Sequence, residues 1–130
     1  MFKKLTALTL FATVLLTGCS SGSESVMNLD AAGFQAKTQE AGVLVLDVRT
    51  RGEFNEGHIA NAINIDVESD TFLNEIAQLD KSKTYAVYCR SGRRSADAVA
   101  KMSNEQFTSL FNLNGGILDW QSAGYSVVTQ

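Results

Sequence analysis

The sequence contains little of what a metal site needs, since its 130 residues include one histidine and two cysteines. Tetrahedral metal sites in proteins take most of their ligands from these two residue types. The single histidine, His58, and the cysteines do not form a metal-ligand set. We therefore expect neither a bound metal nor any other cofactor.

Positive charge is also scarce, because the sequence has 11 Lys and Arg residues against 14 Asp and Glu residues, which gives a net charge of −3 at pH 7. An acidic domain is not attracted to nucleic acid, which we do not expect as a partner. Against this background, three arginines fall within five positions, at Arg90, Arg93 and Arg94. This local basic cluster indicates a site for an anion.

The apolar run near the start of the sequence, at residues 5–16, is shorter than the about 20 residues that a transmembrane helix needs. It follows Lys3 and Lys4 and leads to Leu16-Thr17-Gly18-Cys19, which is the order of a secretory signal. These last four residues resemble a bacterial lipobox, which implies that Cys19 is lipidated. We expect a lipoprotein signal peptide at 1–18, a lipidated flexible tether at 19–25 and one domain at 26–130. An ordinary signal peptide and a transmembrane anchor are the alternatives.

The lipobox resemblance implies an exported protein that is anchored to a membrane of the cell envelope through the lipid on Cys19. Ser20 resembles an outer-membrane sorting residue of Gram-negative bacteria, where the domain would face the periplasm. Removal of residues 1–18 takes away Lys3 and Lys4 and no acid, which changes the net charge from −3 to −5.

Cys89 has no intramolecular partner if Cys19 is lipidated. An unpaired cysteine in an exported protein indicates either a reactive thiol or an intermolecular disulfide. A buried inert cysteine usually lies among apolar residues. The neighbouring arginines favour the reactive thiol.

Hydrophobic patterning predicts alternating strands and helices along the rest of the chain. The run at 43–49 is apolar and β-branched without alternation, which is typical of a strand buried on both faces. The order predicts an α/β domain with a largely parallel, five-stranded sheet and helices on both faces. We expect strands at 26–28, 43–49, 62–65, 84–88 and 108–113 and helices at 31–40, 51–55, 71–79, 95–102 and 117–123. Asp30 and Thr50 are placed to cap the first two of these helices, and Thr50 and Glu53 have the spacing of a capping box.

Three candidate residues lie at the carboxyl ends of strands, at the edge of the sheet where open α/β sheets bind ligands: Asp47, Arg49 and Cys89. The loop after Cys89 combines Ser91, Gly92 and three arginines with a helix start, a combination that forms an anion nest and lowers the pKa of a thiol. Ser95 is placed to cap the helix.

The loop fits two chemistries, attack of Cys89 on an anionic sulfur compound or on a phosphate ester. Tyrosine and dual-specificity phosphatases use Cys-x5-Arg, whereas here the residue six positions after Cys89 is Ser95. Arg94 comes one position earlier, which makes the loop too tight for a tetrahedral phosphoryl group. The spacing favours sulfur chemistry.

Four motifs follow one another along the chain: Leu46-Asp47-Val48-Arg49, Glu53-Phe54-x-x-Gly57-His58-Ile59-x-x-Ala62-Ile63-Asn64-Ile65, Val87-Tyr88-Cys89-Arg90-Ser91-Gly92-Arg93-Arg94-Ser95 and Leu113-Asn114-Gly115-Gly116-x-x-x-Trp120. In this order and spacing they resemble a single-domain rhodanese, a sulfurtransferase, over about residues 26–128. The resemblance implies a rhodanese-like fold and a Cys89 that takes a sulfane sulfur from a donor such as thiosulfate, holds it as a persulfide and passes it to cyanide or a thiol. It also allows a protein as the sulfur acceptor.

The resemblance assigns roles around Cys89. We expect Arg94 to bind the donor's oxyanion, Arg90 to face solvent and attract substrate, and Asp47 and Arg49 to form a hydrogen-bonded pair that supports the loop or is purely structural. We expect His58 to fix a turn rather than act as a base. The substrate-binding set is Arg90, Ser91, Gly92, Arg93 and Arg94, with Asp47, Arg49 and Ser95 in support.

Two other functions remain open on the sequence. A non-catalytic rhodanese-like module would bind a partner or relay sulfur, although many such domains lack the cysteine. A thiol redox or arsenate-handling enzyme would use the same nucleophile, but the chain offers no resolving cysteine.

Overall fold

The computed structural model describes residues 26–129, which form a five-stranded sheet with helices packed on it. The predicted signal peptide, the tether and the lipidation site at Cys19 lie outside these residues. Within residues 26–129 no helix is long and apolar enough to cross a membrane.

The sheet has the strand order β1-β5-β4-β2-β3, and every pairing is parallel. This arrangement confirms the predicted fold class. The strands are β1 (Val26–Leu29), β2 (Val43–Asp47), β3 (Ile63–Asn64), β4 (Thr84–Tyr88) and β5 (Ser109–Leu113).

Four of the five helices cover the two faces of the sheet, and each face has its own hydrophobic core. Helices α3 and α4 pack on one face, and α1 and α5 pack on the other. The short helix α2 connects β2 to β3 along the chain. The helices are α1 (Ala31–Thr38), α2 (Arg51–Glu56), α3 (Phe72–Ile76), α4 (Arg93–Asn104) and α5 (Gly116–Ser122).

The central strand β4 explains the unalternated apolar runs, because its residues 85–88 are all fully buried between the two cores. Tyr85 and Val87 face α3 and α4, whereas Ala86 and Tyr88 face α1 and α5. A strand covered on both faces needs apolar residues at every position.

Helix ends differ from the predicted bounds for local reasons. Beyond the ends of α1 and α3 the chain continues in tightened turns, with bonds such as Glu40 N–H to Lys37 O and Leu79 N–H to Ile76 O. Helix α4 begins two residues earlier than predicted, because Gly92 adopts a left-handed φ of 103° and starts the helix directly after the loop.

Candidate active site

Cys89 lies directly after β4, with 1% of its surface exposed. The Gly92 N–H donates to its Sγ at 3.1 Å, and the Ser95 Oγ lies 3.4 Å from the same atom. Burial raises the pKa of Cys89, but hydrogen bonds from the Ser95 side chain and from the N–H groups of Ser95, Gly92 and Ser91 more than offset burial and lower this pKa. The loop therefore favours the thiolate, which is the nucleophilic form.

Ser95 has a different role from the predicted helix cap. The N-cap is Gly92, and Ser95 lies inside the first turn, where its Oγ lies 3.1 Å from the Gly92 carbonyl oxygen. While Cys89 is a thiol, it donates to Ser95 Oγ and the hydroxyl donates to the Gly92 carbonyl. Once Cys89 is a thiolate, the single hydroxyl proton donates to the sulfur instead. The cap prediction is wrong because the helix starts at Arg93. The Ser95 side chain instead faces the Cys89 sulfur from within the helix.

Two glycines bring the Cys89 loop against the turn between β5 and α5. A Cβ on Gly92 would lie 2.0 Å from the Asn114 carbonyl oxygen, and a Cβ on Gly116 would lie 2.2 Å from the Arg90 carbonyl oxygen. The Ile117 N–H also donates to the Cys89 carbonyl at 2.9 Å. This close approach fixes the shape of the loop and explains both glycines.

The three loop arginines have different surroundings. Arg90 and Arg93 are exposed, and neither forms an ion pair within residues 26–129. Arg94 is partly buried and binds Glu53 with both terminal nitrogens, at 2.7 and 2.9 Å. The prediction that Arg94 binds the donor's oxyanion differs from this geometry, because the two terminal nitrogens of Arg94 already donate to the Glu53 carboxylate.

The Glu53 carboxylate links helix α2 to helix α4. Thr50 caps α2 by accepting from the Glu53 N–H, as the capping-box pattern predicts. The side chain of Glu53 does not return to the Thr50 backbone, however, but accepts from the Thr50 hydroxyl and from Arg94. Hydrogen bonds from Arg94 lower the pKa of Glu53 from 4.5 to about 2. The sequence indicated the cap but not the link to Arg94, which joins positions 41 residues apart.

Asp47 and Arg49 form the predicted pair, in a buried network that also includes Tyr88. Arg49 binds Asp47 at 2.7 to 3.1 Å and donates to the Gly57 carbonyl at 2.7 Å. Tyr88 donates to Asp47 at 2.7 Å and accepts from the Ile59 N–H at 3.0 Å. Since Tyr88 directly precedes Cys89, the network fixes the end of β4 and thereby the position at which the Cys89 loop begins.

His58 and Trp120 have the structural environments of core residues. The His58 ring stacks on Phe54 with centroids 3.7 Å apart, and its Nδ1 lies 2.8 Å from the Phe54 carbonyl oxygen. Trp120 is 5% exposed. Phe111 is only partly buried and lies under Lys37, whose Nζ is 4.2 Å from the ring centroid.

Two cavities flank the Cys89 loop. One, of about 610 Å³, is lined by Val67, Glu68, Ser91, Arg93, Arg94 and Asp97. The other, of about 300 Å³, includes Arg49, Glu53, Glu56, Arg90 and Leu118 in its lining. Among residues 26–129 no group of three His, Cys, Asp or Glu side chains is placed to hold a metal ion.

A family model described as the rhodanese-like domain matches residues 30–123. The chain belongs to the rhodanese-like domain family. A rhodanese-related protein from Thermoplasma volcanium, 35% identical in sequence, has the same fold, with a TM-score of 0.71 over 80% of this chain and 99% of that one.

Curated relatives of this rhodanese domain have different names. The domain is 31% identical over 86 residues to a sulfurtransferase from Allochromatium vinosum, a match that covers 66% of this chain and 78% of that protein. It is 34% identical over 96 residues to the tRNA uridine(34) hydroxylase of Cytophaga hutchinsonii, a match that covers 72% of this chain but 31% of the hydroxylase. The rhodanese domain thus accounts for most of the sulfurtransferase and for a minor part of the hydroxylase.

Proposed function

We propose that this rhodanese domain is a sulfurtransferase that moves a sulfane sulfur from thiosulfate or a similar donor, through a Cys89 persulfide, to a thiophilic acceptor such as cyanide or a thiol. The observation that supports the proposal most is the loop around Cys89, whose Gly92 N–H and Ser95 hydroxyl face the sulfur and lower its pKa. Such donors stabilise the negative charge of the Cys89 thiolate, which attacks in the first step and leaves in the second.

In the first step, the Cys89 thiolate attacks the outer sulfur of thiosulfate. A bond forms between this sulfur and Cys89 Sγ, the sulfur–sulfur bond of thiosulfate breaks, and sulfite leaves with the electron pair. Arg90 and Arg93 are free to bind the oxyanion end of the donor, because no carboxylate occupies them in residues 26–129. Arg94 contributes its charge while Glu53 holds its guanidinium in place.

In the second step, the acceptor attacks the outer sulfur of the Cys89 persulfide. The acceptor–sulfur bond forms, the bond to Sγ breaks, and its electron pair returns to Cys89 as thiolate. The loop donors stabilise this leaving thiolate, so no general base is needed at Cys89. The cycle is balanced without an external oxidant or reductant.

The test is turnover of thiosulfate and cyanide to thiocyanate by residues 26–130. Cys89→Ser keeps the size of the side chain but cannot form a persulfide, so we expect turnover to fall to background while the melting temperature stays close to that of the unsubstituted domain. Thiocyanate formation that survives in Cys89→Ser would contradict the mechanism. A domain that binds a partner but never turns over would favour the non-catalytic alternative.

We also propose that the protein is exported and anchored to a membrane of the cell envelope by lipid on Cys19. The lipobox-like residues 16–19 support this placement. Small sulfur compounds and exposed protein thiols are then the expected partners of the domain.

A further inference from the structure

The larger cavity beside the Cys89 loop holds one free positive and one free negative charge. Arg93 and Glu68 both line it, and both side chains are exposed. Neither forms an ion pair or a side-chain hydrogen bond within residues 26–129, and they do not pair with each other. The other two charged residues of the lining already form ion pairs, Arg94 with Glu53 and Asp97 with Lys101.

Binding of the anionic donor accounts for a positive charge at Arg93 but not for a negative charge at Glu68. Thiosulfate is a dianion, and a carboxylate beside its site would repel it. Glu68 lines the same cavity as Ser91 and Arg94, which belong to the Cys89 loop and the helix start after it. Glu53 raises the pKa of Arg94 most, and the charges of Cys89 and Glu68 raise it further. A carboxylate in this position is instead suited to the positive end of the second substrate.

We propose that the cavity between Glu68 and Arg93 binds a small amino-thiol acceptor, a thiol that carries both an ammonium group and a carboxylate. Arg93 binds the carboxylate, Glu68 binds the ammonium group, and Val67 supplies an apolar contact for the carbon chain between them. A cavity of about 610 Å³ has ample room for a molecule the size of cysteine. This inference rests on the proposed sulfurtransferase function, because it identifies the acceptor of the same site.

The transfer step balances with such an acceptor. Its thiolate attacks the outer sulfur of the Cys89 persulfide, a new sulfur–sulfur bond forms on the acceptor, and the bond to Sγ breaks. The acceptor leaves as a persulfide, and Cys89 is restored as thiolate. Glu68 and Arg93 act only by binding and orienting the acceptor.

The experiment compares three thiols as acceptors with thiosulfate as donor: cysteine, cysteamine, which lacks the carboxylate, and 3-mercaptopropionate, which lacks the ammonium group. In a two-step mechanism, kcat/KM for the acceptor reports on the second step alone. Each thiol is compared between enzyme variants, so differences in intrinsic nucleophilicity cancel.

In Glu68→Gln we expect the kcat/KM ratio of cysteamine to 3-mercaptopropionate to fall about fivefold, the size of an exposed ion pair near 1 kcal/mol. In Arg93→Gln the same ratio rises by a similar factor. Asp70→Asn removes a carboxylate two positions along the chain that does not line the cavity, and it leaves the ratio unchanged.

A ratio that stays constant in Glu68→Gln, or that changes equally in Asp70→Asn, would overturn the amino-thiol assignment. Failure of the proposed function would look different. In that case the unsubstituted domain would transfer no sulfur from thiosulfate to any acceptor, so that neither thiocyanate from cyanide nor a persulfide from a thiol would form.

Discussion

At the scale of single residues, the chemistry of Cys89 depends on donors that the fold places around a buried sulfur. Burial alone would make the thiol inert, since it disfavours the charged form. The Gly92 N–H at 3.1 Å and the Ser95 hydroxyl at 3.4 Å reverse this effect. The arginines, which attract attention in the sequence, do not touch the sulfur through any hydrogen bond of the described structure.

We expect Ser95→Ala to raise the pKa of Cys89. The native pKa is lowered, so the thiolate persists down to a lower pH than in an ordinary cysteine. A hydrogen bond to a charged group contributes about 1.5 kcal/mol. Its loss raises the pH at which the alkylation rate reaches half its maximum by about one unit. The measurement is the rate of iodoacetamide reaction against pH.

Ser91→Ala is the control for that experiment, because it changes the same loop but keeps the N–H that donates toward Cys89. We expect its alkylation profile to match that of the unsubstituted domain. An unshifted profile in Ser95→Ala would show that the hydroxyl does not stabilise the thiolate.

Gly92→Ala tests the contact between the loop and the turn after β5. The new Cβ would lie 2.0 Å from the Asn114 carbonyl oxygen, at a φ of 103° that side chains rarely adopt. We expect a loss of about 2–3 kcal/mol in the free energy of unfolding, measured with urea.

The matched control is Gly42→Ala, which also has a positive φ, of 81°, but no atom within 4 Å of the added Cβ. Its cost is the backbone strain alone, about 1 kcal/mol. Equal losses in the two variants would show that the close approach at Gly92 does not contribute.

At the scale of elements, the Glu53–Arg94 pair joins the first turn of α2 to the first turn of α4. Both helices begin at the carboxyl edge of the sheet, so the pair connects the helix that follows β2 to the helix that follows the Cys89 loop. Because Arg94 donates with two nitrogens, the geometry is fixed more firmly than in a single-contact surface pair.

We expect Glu53→Gln to destabilise the domain at neutral pH and less so in acid. The pKa of Glu53 is about 2 in the folded state against an ordinary 4.5, so the ion pair stabilises the fold fully above about pH 4.5. This contribution disappears as the pH falls toward 2. A double-mutant cycle with Arg94→Gln is expected to give a coupling of about 1–2 kcal/mol at pH 7.

The exposed Lys101–Asp97 pair provides the comparison, since its contact is a single one between half-exposed side chains. We expect about 0.5 kcal/mol or less from the same cycle there. A Glu53–Arg94 coupling no larger than this would contradict the proposed link between α2 and α4.

The order and type of elements could be predicted from the sequence because the runs at 43–49 and 84–88 are apolar without alternation, which is typical of strands that are covered on both faces. The caps at Asp30 and Thr50 were also predictable, since a cap is a local pattern of the sequence. The ends of α1 and α3 were not, since a turn that tightens from α to 3₁₀ bonding leaves no pattern in the residues. Nor was the Glu53–Arg94 contact, because an ion pair across 41 positions depends on the packing of two helices.

At the scale of the whole molecule, the parallel sheet places the Cys89 loop and the start of the domain at opposite edges. Cys89 follows β4 at the carboxyl edge, whereas Val26 begins β1 at the amino edge. A tether that ends at Val26 would therefore attach to the domain at the edge opposite the Cys89 loop. An anchored protein could present the loop to soluble partners.

We expect Cys19→Ala to abolish lipidation and to release the protein from the membrane fraction of cells. The sulfurtransferase activity of the released protein should equal that of residues 26–130, because the site lies wholly within the domain. The measurement is partition of the full chain between membrane and soluble fractions, with activity assayed in each. A Cys19→Ala protein that still sediments with membranes would contradict the lipid anchor.

The central claim of this account is that Cys89 holds a transferable sulfur. Mass spectrometry of residues 26–130 after incubation with thiosulfate tests it most directly. We predict a mass increase of one sulfur atom, located on the peptide that contains Cys89, lost again on addition of cyanide and absent in Cys89→Ser. An unmodified mass, or a sulfur adduct that cyanide does not remove, would contradict the proposed mechanism.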